Sequence, residues 1–259
     1  MATLRERWAN DEVTFGGWLS IGSTVATEAA AYVGFEYLCV DMQHGVSDYL
    51  SMVPMIQTIG LGASSPVVRV PWNEPGIIGK VLDAGAEGVI VPMVNSREEA
   101  EAVVRACRYA PAGSRSFGPV LVSMRRKAHF AEDPNITAVI PMIETVEALQ
   151  NLDEILSVPG IDAIYVGPAD LSVSLGLKPG ANDGDPLFDN ALADIVAACT
   201  RHGVVPGMHA TAELAERRLS QGFRMLTVSG DLLCVRSGMG KDYALARGAA
   251  TPKASGSIY

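Results

Sequence analysis

Eight short apolar runs, each followed by a stretch of helical periodicity, succeed one another along this chain, and few folds accommodate such an alternation. The runs are TFGGWLS (residues 14–20), FEYLCVD (35–41), PVVRVP (66–71), GVIVPMV (88–94), AVIPMIE (138–144), DAIYVG (162–167), VVPGMH (204–209) and RMLTVS (224–229). Strands that read as near-continuous apolar runs and are separated by helices belong to parallel sheets with crossover connections. Eight such units closing on themselves define an α/β (β/α)8 TIM barrel, and 259 residues suit one barrel domain. We expect that domain to span residues 1–249 and residues 250–259 to form a flexible tail.

Between the runs, TVATEAAAYVG, YLSMVPMIQTIG, GIIGKVLDAGA, SREEAEAVVRACRYA, TVEALQNLDEILSV, NALADIVAACTRHG and TAELAERRLSQG carry helical patterning, and DLLCVRSGMGKDYALARGAA supplies a last helix. Several end in Gly, which helix C-termini favour. The stretch PAGSRSFGPVLVSMRRKAHFAEDPN is oversized for a connection and predicts a loop plus an extra helix.

Composition narrows the partners. A net charge of −9 repels nucleic acid and anionic lipid, so an anionic substrate needs a local basic clamp. Cys39, Cys107, Cys199 and Cys234 lack metal-ligand or CxxC spacing and read as reduced thiols of a cytoplasmic protein. No 18-residue apolar run or signal-peptide core is present, so neither membrane insertion nor secretion is expected.

A barrel of this kind assembles its active site at the C-terminal strand ends. Trp18, Asp41, His44, Arg69, Glu144, Gly167, Asp170 and His209 all fall at or just past such ends. Glu144 and Asp170, from adjacent strands, can converge on one cation, and hard oxygen ligands with open positions suit Mg²⁺ or Mn²⁺; alternatively each caps the helix that follows. His44 has the chemistry of a general base near neutral pH, or packs as a hydrogen-bonded strand-end histidine. Asp41 can orient its ring, as can Asp83 across a subunit contact. Arg69 is the only charge in PVVRVP, and a buried arginine needs an anion. That anion is a substrate carboxylate or enolate oxygen, a structural partner such as Asp41 or Glu144, or both. The backbone of Gly167, Pro168, Ala169 and Asp170 opens a helix where anions are favoured. GSRSFGP (113–119) can cradle an anion or form an ordinary loop. Trp18 lines or caps the barrel interior, and His209 is a substrate contact or a buried filler.

Taken in order, GGWLS, GFEYLCVDMQHG, PVVRVPW, the run from VLDAGAEG to SFGP, ETVEALQNLDEI and GPADLSVSLG resemble the HpcH/HpaI aldolases over about residues 13–245. The resemblance implies a divalent-metal-dependent carbon–carbon lyase that reversibly cleaves 4-hydroxy-2-oxo acids to pyruvate, or a close 2-oxo acid such as hydroxypyruvate, and an aldehyde. It implies Mg²⁺, Mn²⁺ or Co²⁺ on Glu144 and Asp170, Arg69 at the 2-oxo oxygen, and His44 as base paired with Asp83 of a neighbouring subunit. The Gly167–Asp170 backbone would hold the substrate carboxylate, while Trp18, Gln43 and His209 would line the pocket. A pyruvate-type barrel whose last helix is exchanged between subunits, in a hexamer built from dimers, is also implied. Two positions depart from the family pattern: Gln43 stands where many relatives carry an acid, and His209 where an aliphatic or small residue is expected.

Rival chemistries leave traces of their own. A Schiff-base aldolase needs a lysine at a strand end, whereas Lys80, Lys127, Lys178, Lys241 and Lys253 fall in predicted helices, loops or the tail. A CoA-ester lyase of the citrate lyase β-chain kind needs a basic mouth, for which Arg125, Arg126 and Lys127 are the one tight cluster. A non-catalytic keto-acid-binding protein would retain the carboxylates without needing His44.

Overall fold

The structure, a computed structural model, describes residues 2–125 and 136–248. Eight parallel strands close in sequence order into one barrel. They are β1 (Thr14–Leu19), β2 (Tyr37–Asp41), β3 (Ser65–Arg69), β4 (Gly88–Val91), β5 (Ala138–Ile143), β6 (Ala163–Val166), β7 (Val205–His209) and β8 (Met225–Gly230). Each overlaps its predicted run, and the class of fold is the expected one. The expected tail at 250–259 lies outside the described residues.

Side chains on a strand alternate between its two faces. On β2, Tyr37 and Cys39 face into the barrel with Val67 of β3, Ile140 of β5 and Tyr165 of β6. Leu38 and Val40 face out, with Val68, Val139 and Ile164, into the layer shared with the helices. This parity decides where the chemistry lies. Following the inward positions towards the strand C-termini leads from Gly16 to Trp18, from Cys39 to Asp41, from Val67 to Arg69, from Met142 to Glu144 and from Gly207 to His209. The last inward position of these strands therefore carries a charged, imidazole or indole side chain at the barrel mouth.

The opposite end is closed by a helix, Leu4–Ala9, which lies outside the stretches with helical periodicity. Leu4 joins the inner cluster with Trp8 packed on it, while Arg5 Nε bonds Asp162 Oδ1 at 2.8 Å and Trp8 Nε1 bonds Thr14 Oγ1 at 3.0 Å. Its signal was present in the sequence: Thr3 and Glu6 form a reciprocal capping box. The predicted helix TVEALQNLDEILSV divides into Val146–Gln150 and Leu152–Leu156. Asn151 at the break donates its side-chain amide to the carbonyl of Asn95 at 2.8 Å, a long-range bond to the loop after β4. The extra helix expected after strand four is Val120–Arg125, and residues 126–135 of that insertion lie outside the described residues.

The last helix, Asp231–Ala246, differs from the rest. Among its described residues Ala244 alone is buried, and Leu232, Leu233, Val235, Met239, Tyr243 and Leu245 are all substantially exposed. Beside its start an apolar groove of about 330 Å³ runs past Leu19, Ala30, Val33 and Phe35. Among the described residues no helix is long and apolar enough to cross a membrane.

Gly16 shows how the barrel interior is fitted. It is in register with Tyr37 on one side and Thr227 on the other, and a Cβ on it would run into the Tyr37 ring. The absent side chain lets that ring lie across β1 and deliver its hydroxyl to Thr227 Oγ1 at 2.9 Å. Gly16→Ala is expected to cost about 1–3 kcal/mol by overpacking. Chemical denaturation checks this, and an unchanged midpoint would contradict it.

Candidate functional site

Asp41 and Arg69 are register partners at the ends of β2 and β3, so their side chains emerge together into the barrel mouth. Arg69 Nε donates to Asp41 Oδ1 at 2.9 Å and Arg69 Nη2 to Oδ2 at 2.6 Å, a two-pronged pair whose members are 3% and 2% exposed. Asp41 also accepts from Trp18 Nε1 at 3.1 Å and from the amides of Gln43 and His44 at 3.0 and 3.2 Å. Burial alone would raise its pKa, but the bonds and charge of Arg69, helped by Trp18 and the His44 amide, hold the carboxyl below its ordinary value. The hydrogen bond that Asp41 makes to His44 comes from the backbone, so Asp41 positions the histidine through the turn. Of the two partners open to Arg69 in the sequence, the structure makes Asp41 its hydrogen-bonded one.

Trp18 is the hub of the apolar wall. The Arg69 guanidinium carbon lies 4.9 Å from its ring centroid, Tyr165 stacks on it at 5.6 Å and His209 meets it edge-on at 5.2 Å. Beneath, Tyr165 donates to Thr227 Oγ1 at 2.6 Å, and a long 3.5 Å contact links the Tyr165 hydroxyl to His209 Nδ1. Burial, then the neighbouring charge of Arg69, lowers the His209 pKa to about 4, so its imidazole is neutral at physiological pH.

Glu144 lies just beyond β5, 2% exposed. Its Oε1 accepts the amide of Met93 at 2.8 Å, and Met93 holds the left-handed φ of 56° that aims this N–H. The carboxylate's other oxygen faces Gly167, where a Cβ would collide with it. Asp170 stands exposed on the first turn of the helix Pro168–Ser174. Burial pushes Glu144 up to about 7; the Met93 amide opposes this, the charge of Asp170 adds to it and Arg69 offsets part of it. Neither acid caps a helix. Thr145 caps the one after β5, and Gly167 occupies the N-cap position before Pro168 without a side-chain bond. That leaves the amides of Ala169 and Asp170 clear of a capping side chain. Among the described residues no cluster of three or more His, Cys, Asp or Glu gathers to hold a metal.

A mouth cavity of about 140 Å³ lies between the ends of β1, β2, β7 and β8 and the start of the last helix. His44, Asp41, Trp18 and His209 line one part of it, and Ser229, Asp231 and Arg236 another. Among the described residues no lysine lines it. Of the five lysines, Lys80 and Lys241 lie on helices and Lys178 in a loop, whereas Lys127 and Lys253, with Arg126 of the basic run, lie outside the described residues. Gln43 follows β2 with its amide on Asp41, and its buried Oε1 lacks a hydrogen-bond partner among the described residues.

Asp83 is elsewhere. It bonds Arg115 Nη2 at 2.6 Å and lines a separate recess with Lys80, Ser114 and Ser116. Arg115, from the GSRSFGP loop, is buried over the Tyr109 ring at 4.5 Å, so this loop grips Asp83. Two participants escaped the sequence reading. Asp231, at the end of β8, accepts the amides of Ser20 and Ile21 at 2.9 and 3.0 Å, tying the mouth of β1 to the last helix. It follows a strand end, the same signal that marked the other acids. Arg236, five residues on, had no such signal.

A closed eight-stranded parallel barrel with acids, an arginine and imidazoles at its C-terminal mouth defines an α/β-barrel enzyme. The model of the HpcH/HpaI aldolase/citrate lyase family matches residues 15–237. A hydroxypyruvate/pyruvate aldolase of Rhizorhabdus wittichii is 39% identical over 237 residues, covering 90% of this chain and 93% of its own. A 4-hydroxy-2-oxo-heptane-1,7-dioate aldolase of Klebsiella pneumoniae is 37% identical over 86% of this chain and 85% of its own. An HpcH/HpaI aldolase/citrate lyase family protein of Burkholderia cenocepacia superposes with a TM-score of 0.87 at 32% identity, over 94% of this chain and 98% of its own. This chain belongs to the HpcH/HpaI aldolase/citrate lyase family, and it is an aldolase-type lyase.

Removing one member of a buried ion pair strands the other. Asp41→Ala is expected to lower stability by about 3–5 kcal/mol, and the double change Asp41→Leu/Arg69→Met to recover most of it. Denaturant titration of both variants checks this; a single-variant loss below about 1 kcal/mol would contradict the pairing.

Proposed function

We propose that this protein is a divalent-metal-dependent aldolase that reversibly cleaves 4-hydroxy-2-oxo acids to pyruvate, or a close 2-oxo acid such as hydroxypyruvate, and an aldehyde. The observation that carries the metal reading is the pair Glu144 and Asp170. A carboxylate buried to 2% exposure, pushed up to about 7 and charged against a second acid, is relieved by a cation set against both. The fit is chemical as well: hard carboxylate oxygens suit Mg²⁺, Mn²⁺ or Co²⁺, and Gly167 clears the space beside Glu144. When bound, such a cation supplies a Lewis-acid sink for the electron pair released by the breaking bond.

The chain's own residues do the rest. The uncapped turn Gly167–Asp170 receives the substrate carboxylate, and Arg69, held rigid by Asp41 and Trp18, sets positive charge at the 2-oxo oxygen. His44 takes the C4 hydroxyl proton as the C3–C4 bond breaks. The bonding pair stays with C3 as the enolate, C4 leaves as the aldehyde carbonyl, and a proton returned to C3 completes pyruvate. Trp18, Gln43 and His209 wall the pocket, with His209 as a neutral surface.

We propose further that Asp83 serves the His44 of a neighbouring subunit in a hexamer built as a trimer of dimers, its last helix exchanged between copies. Asp83 lies in a recess of its own, held by Arg115. The last helix leaves its apolar side chains exposed beside an apolar groove, the two halves of such an exchange. The cytoplasmic location is supported by the four free thiols.

Chelation with EDTA is expected to abolish pyruvate–aldehyde cleavage, and Mn²⁺, Mg²⁺ or Co²⁺ to restore it; turnover indifferent to chelation would sink the metal reading. His44→Ala and Asp83→Asn are each expected to be nearly inactive, whereas mixed subunits refolded together regain up to about a quarter of wild-type activity, the share of sites rebuilt by random pairing. No recovery would place Asp83 outside its neighbour's site.

A further inference from the structure

We propose that Arg115 is a positioning residue for the reaction: it holds one carboxylate oxygen of Asp83 and so aims the other at the His44 of a neighbouring subunit. The inference rests on the reading of Asp83 proposed above and deepens it. Asp83 lies in the last turn of the helix Pro75–Ala84, where the helix dipole disfavours an acid and the helix supplies no basic residue of its own. The compensating charge comes from the GSRSFGP loop. Arg115 Nη2 donates to Asp83 Oδ1 at 2.6 Å, with the arginine side chain 2% exposed and the aspartate 30%. Among the described residues no hydrogen bond reaches Asp83 Oδ2, and a carboxylate accepts at both oxygens.

The loop holds that guanidinium still. The amides of Ser114 and Arg115 bond the carbonyls of Arg105 and Arg108 at 2.8 and 2.9 Å, which ties the loop to the end of the helix Arg97–Cys107. Gly113 makes this turn possible, because a Cβ there would run into those same two carbonyls. The guanidinium carbon lies 4.5 Å from the Tyr109 ring centroid, and Phe117 meets that ring edge-on at 5.4 Å. An arginine fixed by its backbone, an aromatic face and a buried ion pair sets the place of the carboxylate it holds, and misplacing an orienting group by about 1 Å costs on the order of a hundredfold in rate. Beside the pair a recess of about 370 Å³ lies open: Gly76 and Gly79 line it, and a Cβ on Gly79 would meet nothing within 4 Å. His44 lines the barrel mouth and not this recess, so an imidazole that reaches Asp83 there belongs to another copy.

In the metal-supplemented enzyme Arg115→Gln is expected to lower kcat about tenfold or more while KM for pyruvate stays within about twofold. Arg115→Lys should recover only part, because an ammonium keeps the charge and loses the planar fork. Subunits of two variants refolded together separate this role from a structural one. Where Arg115→Gln is mixed with His44→Ala, a His44 of the first chain meets an intact Asp83 and Arg115 of the second, and activity is expected to return to about a quarter of wild type by random pairing. Where it is mixed with Asp83→Asn, no chain supplies an aimed carboxylate, and activity is expected to stay at or below that of Arg115→Gln alone. No recovery with His44→Ala, equal recovery with both partners, or an Arg115→Gln enzyme at the wild-type rate would overturn the role of Arg115. Failure of both Arg115 variants to assemble would assign the arginine to the fold and overturn it too. The mixture of His44→Ala with Asp83→Asn tells the two readings apart: recovery there leaves Asp83 in its neighbour's site whatever Arg115 does, and its absence removes both.

Discussion

A guanidinium cannot shed its charge, so burying one at 3% exposure obliges the fold to place a carboxylate against it, and here Asp41 is that carboxylate. The rest of the mouth is organised around this obligation. Register brings β2 and β3 to the same height, Asp41 collects the Trp18 indole and the amides of the turn carrying His44, and Trp18 in turn packs Tyr165 and His209. A charge that reaches Glu144 and His209 is thereby held in one place. Its cost is offset by bonds that also orient the neighbouring groups, which is how a rigid site is kept ready before substrate arrives.

Two acids at the same mouth are treated in opposite ways. Asp41 has Arg69 and stays ionised below the usual carboxylate range, whereas Glu144 has one amide and a neighbouring acid, and rises to about 7. The contrast separates a group that supports a cation already in the chain from one whose environment, in the reaction proposed above, a bound metal would complete. In the proposed reaction the first holds the positive charge beside the 2-oxo oxygen, and the second holds the sink that accepts the electrons.

Strand parity made much of this legible in the sequence. PVVRVP, FEYLCVD and AVIPMIE announce buried strands, and counting every second residue to the end of each arrives at Arg69, Asp41 and Glu144. What the sequence hid was of three kinds. Partners fixed by backbone, such as the Met93 amide on Glu144, leave no side-chain signature. Contacts between distant segments, such as Arg115 on Asp83, depend on where a long loop returns. The last helix hid its surroundings because its pattern predicts a helix but not what it packs against: exchange between subunits is implied by the family resemblance and not by the pattern, and the structure leaves the helix's apolar residues exposed.

A single spectroscopic measurement addresses the enolate directly. Pyruvate incubated in D₂O with the Mg²⁺-loaded enzyme, with no aldehyde present, is predicted to exchange its methyl protons for deuterium, seen as loss of the methyl signal by proton NMR, and to stop exchanging when the metal is chelated. A methyl signal that persists undiminished beside active enzyme would contradict stabilisation of a pyruvate enolate at this barrel mouth.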